Sequence, residues 1–384
     1  MARSGTWEEL EVRGRESPLP FKGLSGAGIR GKAYFFGGYG GGYSDETHVL
    51  DLERPLEPEW SVLQVTSDRA PSRRAYHSTF AYKESLWVFG GVGTRGYSND
   101  VWRLTFEDAR GGAGRWVECP CVGRVPRKRE GHTGTVVDST LVVYGGYDGC
   151  DWLGDVFALN LETLIWWRAA GGDAPNAPTP RSGHAAAKAP LEWDAVFVFG
   201  GFNGDGCVNE FAACLEIDVL AGTAAWEPIE PKGAAPSKRY GHSAVVYNTS
   251  VYVFGGTGPV TGYGADITGA VCHNDMCVFS LLQPHKPVWR RDPHGHAFPG
   301  EPPSARHCHG AAMVGNNMVL VGGSTRGPYC ARDAFPKLLN DVHCLSLGNK
   351  VDGDYVRSRI IIHSNQSKHR HPTRIFELKD ITSL

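Results

Sequence analysis

The chain has 384 residues, more than most single domains, so it holds two domains or one domain built by repetition. Its 39 Lys plus Arg nearly balance 41 Asp plus Glu, and the net charge of −2 excludes a bulk electrostatic drive toward nucleic acid or anionic lipid. The 50 glycines, 24 prolines and 11 tryptophans suit many tight turns between short aromatic strands, an all-β composition.

In chain order, Trp7 comes first, in a stretch (MARSGTWEEL) without the apolar core of a signal peptide. An apolar run then ends in a glycine pair six times: "YFFGG" at Gly37, "WVFGG" at Gly90, "VVYGG" at Gly145, "FVFGG" at Gly200, "YVFGG" at Gly255 and "VLVGG" at Gly322. First glycines are 53, 55, 55, 55 and 67 residues apart. Arg-x-x-His precedes five of the pairs, as Arg74/His77, Arg129/His132, Arg181/His184, Arg239/His242 and Arg306/His309. After each of these pairs comes Asn-Asp or a near equivalent and an alternating run, as in "NDVWRL" and "NDVHCL". A tryptophan closes the first five units, at Trp60, Trp116, Trp167, Trp226 and Trp289.

Each unit thus offers four short runs with period-2 alternation between turn residues. A four-stranded meander has two faces and cannot bury both alone, whereas six of them stacked around an axis can, which is a β-propeller. The glycine pair fits a strand end where a neighbouring backbone comes too close for a Cβ or where positive φ is needed. The sixth unit lacks its tryptophan, and Trp7 stands alone, so the N-terminal strand is expected to complete the last blade. Aligning "PLPFKGLS" with "PSRRAYHS" then puts Phe21 and Leu24 where arginine and histidine stand elsewhere.

The glycine pairs, acidic strand starts and spaced tryptophans resemble the kelch repeat over roughly residues 7 to 347. The expected fold is an all-β, six-bladed kelch propeller of four-stranded antiparallel blades over residues 1–350, with 351–384 as a tail that adds at most one strand, around Ile360 to Ile362. The tail's final Thr382-Ser383-Leu384 fits a PDZ-type ligand.

In an up-down meander the blade-entry turn and the loop after the second strand share a face. The arginines Arg74, Arg129, Arg181, Arg239 and Arg306 are therefore expected near the mouth of the central channel. Structurally, they can pair with Asp100, Asp155, Glu210, Asp275 and Asp341 while the histidines fasten neighbouring blades. Functionally, they form a collar for carboxylates, and several kelch adaptors that this chain resembles hold acidic or C-terminal peptides that way. The loops after the glycines are the expected source of specificity, with Tyr39, Tyr97, Tyr147, Trp152, Phe202, Tyr263, Arg326 and Tyr329 as contact residues. The longest of them, Thr257 to His273 and Ser324 to Leu339, favour blades five and six as the docking side.

For catalysis the sequence offers little. It lacks a nucleotide loop and the Glu-x-x-x-Asp-x-x-x-His run of kelch specifier proteins, and its densest metal-like cluster is His294, His296, His307, Cys308 and His309. The expectation is a monomeric, non-enzymatic protein-binding module without cofactor, nucleic acid or membrane insertion. It would be an adaptor or scaffold, including a ubiquitin-ligase substrate receptor, in the cytoplasm or nucleus with its ten cysteines reduced. The alternative is a small-molecule or metal-assisted enzyme with its site at the channel mouth.

Overall fold

The computed structural model describes residues 6–13, 21–53, 57–108, 110–172, 174–189, 194–208, 212–218, 221–227, 229, 231–258, 271–281, 287–292, 298–325 and 337–347. Every regular element among them is a strand. The expected tail from 351 to 384, with its C-terminal motif, lies outside the described residues.

Six antiparallel sheets follow one another along the chain. The first blade is Ser25–Ile29, Lys32–Phe36, Thr47–Asp51 and Glu59–Val62. The next four repeat this order, with innermost strands Ser78–Tyr82, Thr133–Val137, Ala185–Lys188 and Ser243–Tyr247. In the sixth, Gly310–Val314, Asn317–Val321 and Val342–Ser346 supply three strands, and Thr6–Glu9 comes from the other end of the chain as the fourth. Trp7 stands opposite Leu345 in that pairing, so the ring closes as the lone tryptophan implied.

The second strands are almost wholly buried because both faces of each blade pack on neighbours, which explains their near-continuous apolar runs. Between blades lie aromatic seams, such as Phe89 with Trp166 at 5.1 Å and Phe199 with Trp289 at 5.6 Å. The tryptophan of the third blade is Trp166, not Trp167 as its spacing suggested. Trp166 stands opposite Leu159, as Trp116 stands opposite Leu104 and Trp226 opposite Leu215. Strand alternation sends the neighbouring Trp167 to the other face, where it is only half-buried.

Outer edges are covered as well. The chain leaving each blade pairs in parallel with the outermost strand of the next, as Gln64–Val65 does with Ala113–Glu118 and Lys232–Gly233 with Val288–Asp292. Isolated bridges such as Arg13 to Glu59 and Trp7 to Gly300 do the same elsewhere. A propeller made this way presents few open strand edges.

Candidate functional site

At every blade entry, the residue after the arginine position bridges to the residue after the glycine pair: Lys22 to Tyr39, Ala75 to Val92, Glu130 to Tyr147, Ser182 to Phe202, Tyr240 to Thr257 and His307 to Ser324. Entry turns and post-glycine loops therefore share one face, around the axis. The arginines sit there too, but inside the protein. Arg74 is 1% exposed, and Arg129, Arg181, Arg239 and Arg306 are 0% exposed.

A guanidinium has five N–H donors, and in Arg74 all are used internally. Nε donates to the Ser72 carbonyl at 2.9 Å and Nη1 to the Gly90 carbonyl at 2.9 Å. Nη1 and Nη2 grip Asp100 at 2.6 and 2.8 Å, and Nη2 also donates to Ser72 Oγ at 3.0 Å. Arg239 repeats this on Ser237, Gly255 and Asp275, and Arg306 on Ser304, Gly322 and Asp341. Arg129 keeps Gly145 and Asp155, with Arg127 in the serine position. Arg181 holds Thr179 and Gly200, while its expected partner Glu210 lies outside the described residues. Burial by itself raises the Asp100 carboxyl, but hydrogen bonds from Arg74 and Trp102 outweigh it and hold the group below the usual range. Asp341 is held well below that range against the same burial, by His343 and Arg306. A guanidinium that is itself buried and committed to internal acceptors cannot grip a partner's carboxylate, so the expected open collar is replaced by five internal anchors. The serine or threonine two residues ahead of four of these arginines was the signal in the sequence for that inward fork.

The histidines tie blade to blade. His77 packs edge-on against Phe36 at 5.2 Å, His132 against Phe89 at 5.0 Å and His184 against Tyr144 at 5.1 Å, each ring at the end of the preceding blade's second strand. Nε2 of His132, His184 and His309 meets the hydroxyl of Ser78, Thr133 and Ser243 of the preceding blade at 3.1, 2.9 and 2.8 Å. Burial, reinforced by the adjacent arginine charge, pushes His77 and His242 down to about 3 and holds His132, His184 and His309 well below the ordinary value. They are neutral tethers. His309 thus leaves the metal-like cluster for a structural role, and His307 Nδ1 lies 3.2 Å from Cys308 Sγ. His294 and His296 lie outside the described residues. Among the described residues no group of three or more His, Cys, Asp or Glu is placed to hold a metal ion.

Between arginine and histidine positions runs a feature the sequence reading missed. The N–H of Gly23 donates to the Cys308 carbonyl, Cys308 to Gly241, Gly241 to Gly183, Gly183 to Gly131, Gly131 to Tyr76 and Tyr76 to Gly23, each at 2.7 or 2.8 Å. All six residues have φ between 54° and 67°, which is why four are glycine. This backbone ring encircles the axis. The Tyr76 side chain lies over Gly23, where an added Cβ would come within 2.8 Å of the phenol ring. Below the ring is a cavity of about 300 Å³ lined by small and polar residues of the six innermost strands, among them Ser25, Ser78, Thr133 and Ser243.

Outside the ring lie the described loop aromatics Tyr39, Tyr97, Tyr147, Trp152 and Phe202, all half-buried. Tyr39 packs on Tyr43 at 5.1 Å in the first blade. From the second blade onward the rings follow one another: Tyr97 to Tyr147 at 6.2 Å, Tyr147 to Trp152 at 4.9 Å and Trp152 to Phe202 at 6.0 Å. Phe202 then reaches Tyr240 at 5.6 Å, and Tyr240 reaches His307 at 6.3 Å. Loop glycines make room for them. A Cβ on Gly149 would stand 2.7 Å from the Tyr97 ring, and one on Gly204 2.8 Å from Trp152. Tyr263, Arg326 and Tyr329, in the two longest loops, lie outside the described residues. Tyr240, absent from the expected contacts, completes the arc. Beside Tyr147 stands Glu130, half-buried, whose carboxyl burial pushes up to about 7.

Comparison with known proteins followed the same pattern. The model of the KLHDC2/KLHL20/DRC7 Kelch-repeats domain matches residues 2–189 and 169–370. Adagio protein 3 of Arabidopsis thaliana is 30% identical over 363 residues, 91% of this chain and 53% of that protein. Human Host cell factor 1 is 31% identical over 282 residues, covering 65% of this chain and 13% of its own length. The Drosophila melanogaster Leucine-zipper-like transcriptional regulator 1 homolog is 25% identical over 76% of this chain and 27% of its own. The chain therefore spans about half or less of these relatives. The solved structure of YjhT superposes with a TM-score of 0.58 at 18% identity, covering 84% of this chain and 98% of that one, a likeness of fold alone.

Proposed function

Because the chain belongs to the kelch-repeat family, whose propellers are generally protein-interaction modules, we propose that it is an adaptor or scaffold that docks a partner protein segment on the channel-mouth face. The aromatic arc from Tyr97 to Tyr240, backed at its end by buried His307, carries this reading. Large, half-exposed rings held rigid by their neighbours give contact area at little entropic cost, the property of interface hot spots. The arc runs over blades two to six, so a segment laid along it can touch several blades at once. An adaptor role, including that of substrate receptor for a ubiquitin ligase, places the client on this face and the remaining complex on another.

The reading makes a direct demand. Replacing Tyr147 and Tyr240 together by alanine removes two members of the arc that stand outside the blade cores. Purification of partners from cell extract by the full chain should lose its main captured proteins in this variant. Affinity for a captured partner should fall by at least the roughly 2 kcal/mol of a hot-spot loss, about 30-fold. A variant that keeps its melting temperature and its partners at unchanged affinity removes the face as the docking site.

A further inference from the structure

Glu130 is the only acid among the residues that follow the arginine position, its counterparts being Lys22, Ala75, Ser182, Tyr240 and His307. Its main chain is fixed from both sides. The Glu130 N–H donates to the Tyr147 carbonyl at 2.9 Å, and the Tyr147 N–H donates back at 2.8 Å. On one flank Arg129 is locked by its buried fork, and on the other Gly131 is a link of the axial ring. The carboxylate is thus held near the mouth by a backbone that has little freedom to carry it elsewhere.

Two other acids on this face have a cation beside them. Asp45 meets Arg73 at 3.3 Å, and Asp148 meets Arg127 at 2.7 Å. Glu130 has no hydrogen-bonding or ionic side-chain partner among the described residues, and burial alone moves its carboxyl, so no described basic group offsets the cost. Lys22, the one lysine of the entry positions, lies over the Tyr39 ring at 5.9 Å. What surrounds Glu130 is aromatic. Tyr147 is its bridge partner with Tyr97 edge-on at 6.2 Å, and the Glu130 charge acts on Tyr43, Tyr76, Tyr97 and Cys308 from the first, second and sixth blades.

A half-buried carboxylate without a partner is unfavourable in the free protein, and the missing interaction is made when a cation arrives. Aromatic faces attract the same cation through their quadrupoles, and more strongly as water is excluded. Resting on the docking reading above, we propose that Glu130 and the tyrosines around it form a seat for a lysine or arginine side chain of the docked segment. The seat selects basic segments over acidic ones, the reverse of what an open arginine collar would select.

The test uses the full chain, immobilised at pH 8, and a displayed library of random heptapeptides as the probe. Wild-type protein should enrich peptides with Lys or Arg at one fixed position. Glu130→Gln, which keeps shape and removes charge, should bind a selected peptide at least 10-fold more weakly, and norleucine at the basic position should cause a similar loss in the wild type. Peptides that need Tyr147 and Tyr240 but show no basic preference, or bind Glu130→Gln unchanged, overturn the seat and leave the docking face standing. A library in which nothing enriches, or in which the selected peptides ignore Tyr147→Ala/Tyr240→Ala, overturns both.

Discussion

The first and sixth blades meet one requirement at their entry turns with opposite chemistry. In the sixth, Arg306 is fully buried and held by Asp341, Ser304 and the Gly322 carbonyl. In the first, Phe21 occupies the arginine position at 5% exposure and packs on His48 at 6.4 Å, while Leu24 replaces the histidine. Leu24 also lies where the preceding blade offers Gly310 instead of a hydroxyl, and a Cβ there would stand 3.1 Å from Leu24 Cγ. Yet both turns deliver the same backbone contact: Gly256 N–H donates to the Arg306 carbonyl, and Gly323 N–H donates to the Phe21 carbonyl, each at 2.8 Å. The propeller needs that carbonyl in place, and a buried ion pair or an apolar side chain fixes it equally well in geometry.

If that equivalence holds, the largest effect comes from breaking a pair on one side only. Arg306→Met should destabilise the fold by about 3 kcal/mol, because half-buried Asp341 then keeps its charge with His343 as its remaining partner. Adding Asp341→Leu should recover most of the loss by making the site apolar, as in the first blade. Chemical denaturation of the two variants decides it, and a double variant no more stable than the single one would show that the ion pair does more than position a carbonyl.

A smaller difference lies in pH response. The five histidines have folded values depressed below their unfolded value near 6.5, so the stability they contribute is complete above that pH and is lost as the pH falls, for His77 and His242 toward about 3. Leu24 contributes nothing of the kind. His242→Leu should therefore flatten the stability curve between pH 6.5 and 4 by about one proton, roughly 1.4 kcal/mol per pH unit. Urea unfolding at several pH values measures the slope, and an unchanged slope would mean that His242 is not neutral in the fold. The smallest effect concerns the serine that orients the fork. Ser304→Ala should cost about 1 kcal/mol, since one neutral acceptor is lost while the carboxylate and carbonyl contacts remain. Arg129, which lacks such a hydroxyl yet is equally buried, sets that modest expectation.

Much of this architecture was legible because repetition reports on geometry. Six glycine pairs gave the blades, and each pair proves to need both positive φ, as at Gly37 and Gly38 with 66° and 113°, and a close approach, here 2.5 Å between a Gly37 Cβ and the Arg74 carbonyl. Trp7 located the seam. Reading failed where adjacent residues compete. Trp166 and Trp167 satisfy the same spacing, and only the pairing register separates them. The arginine positions were assigned to the correct face, but the direction of the side chains was not. In the third blade the next residue, Glu130, keeps some exposure, and as an unremarkable "x" in Arg-x-x-His it has no signature apart from the tyrosines that the fold gathers around it.

The axial ring of six N–H to carbonyl bonds has a kinetic side. A line of such bonds ends in one idle donor and one idle acceptor, while a circle has neither. The final link, from Gly23 to Cys308, is also the seam between the chain's first and last blades. Until the sixth blade docks on the first, five links leave both ends of the line wanting, and polarisation along the bonds has no return path. Assembly then ends in a single latching event that satisfies two groups at once. No blade can peel away alone without reopening the circle, which couples six nearly separate sheets to one another.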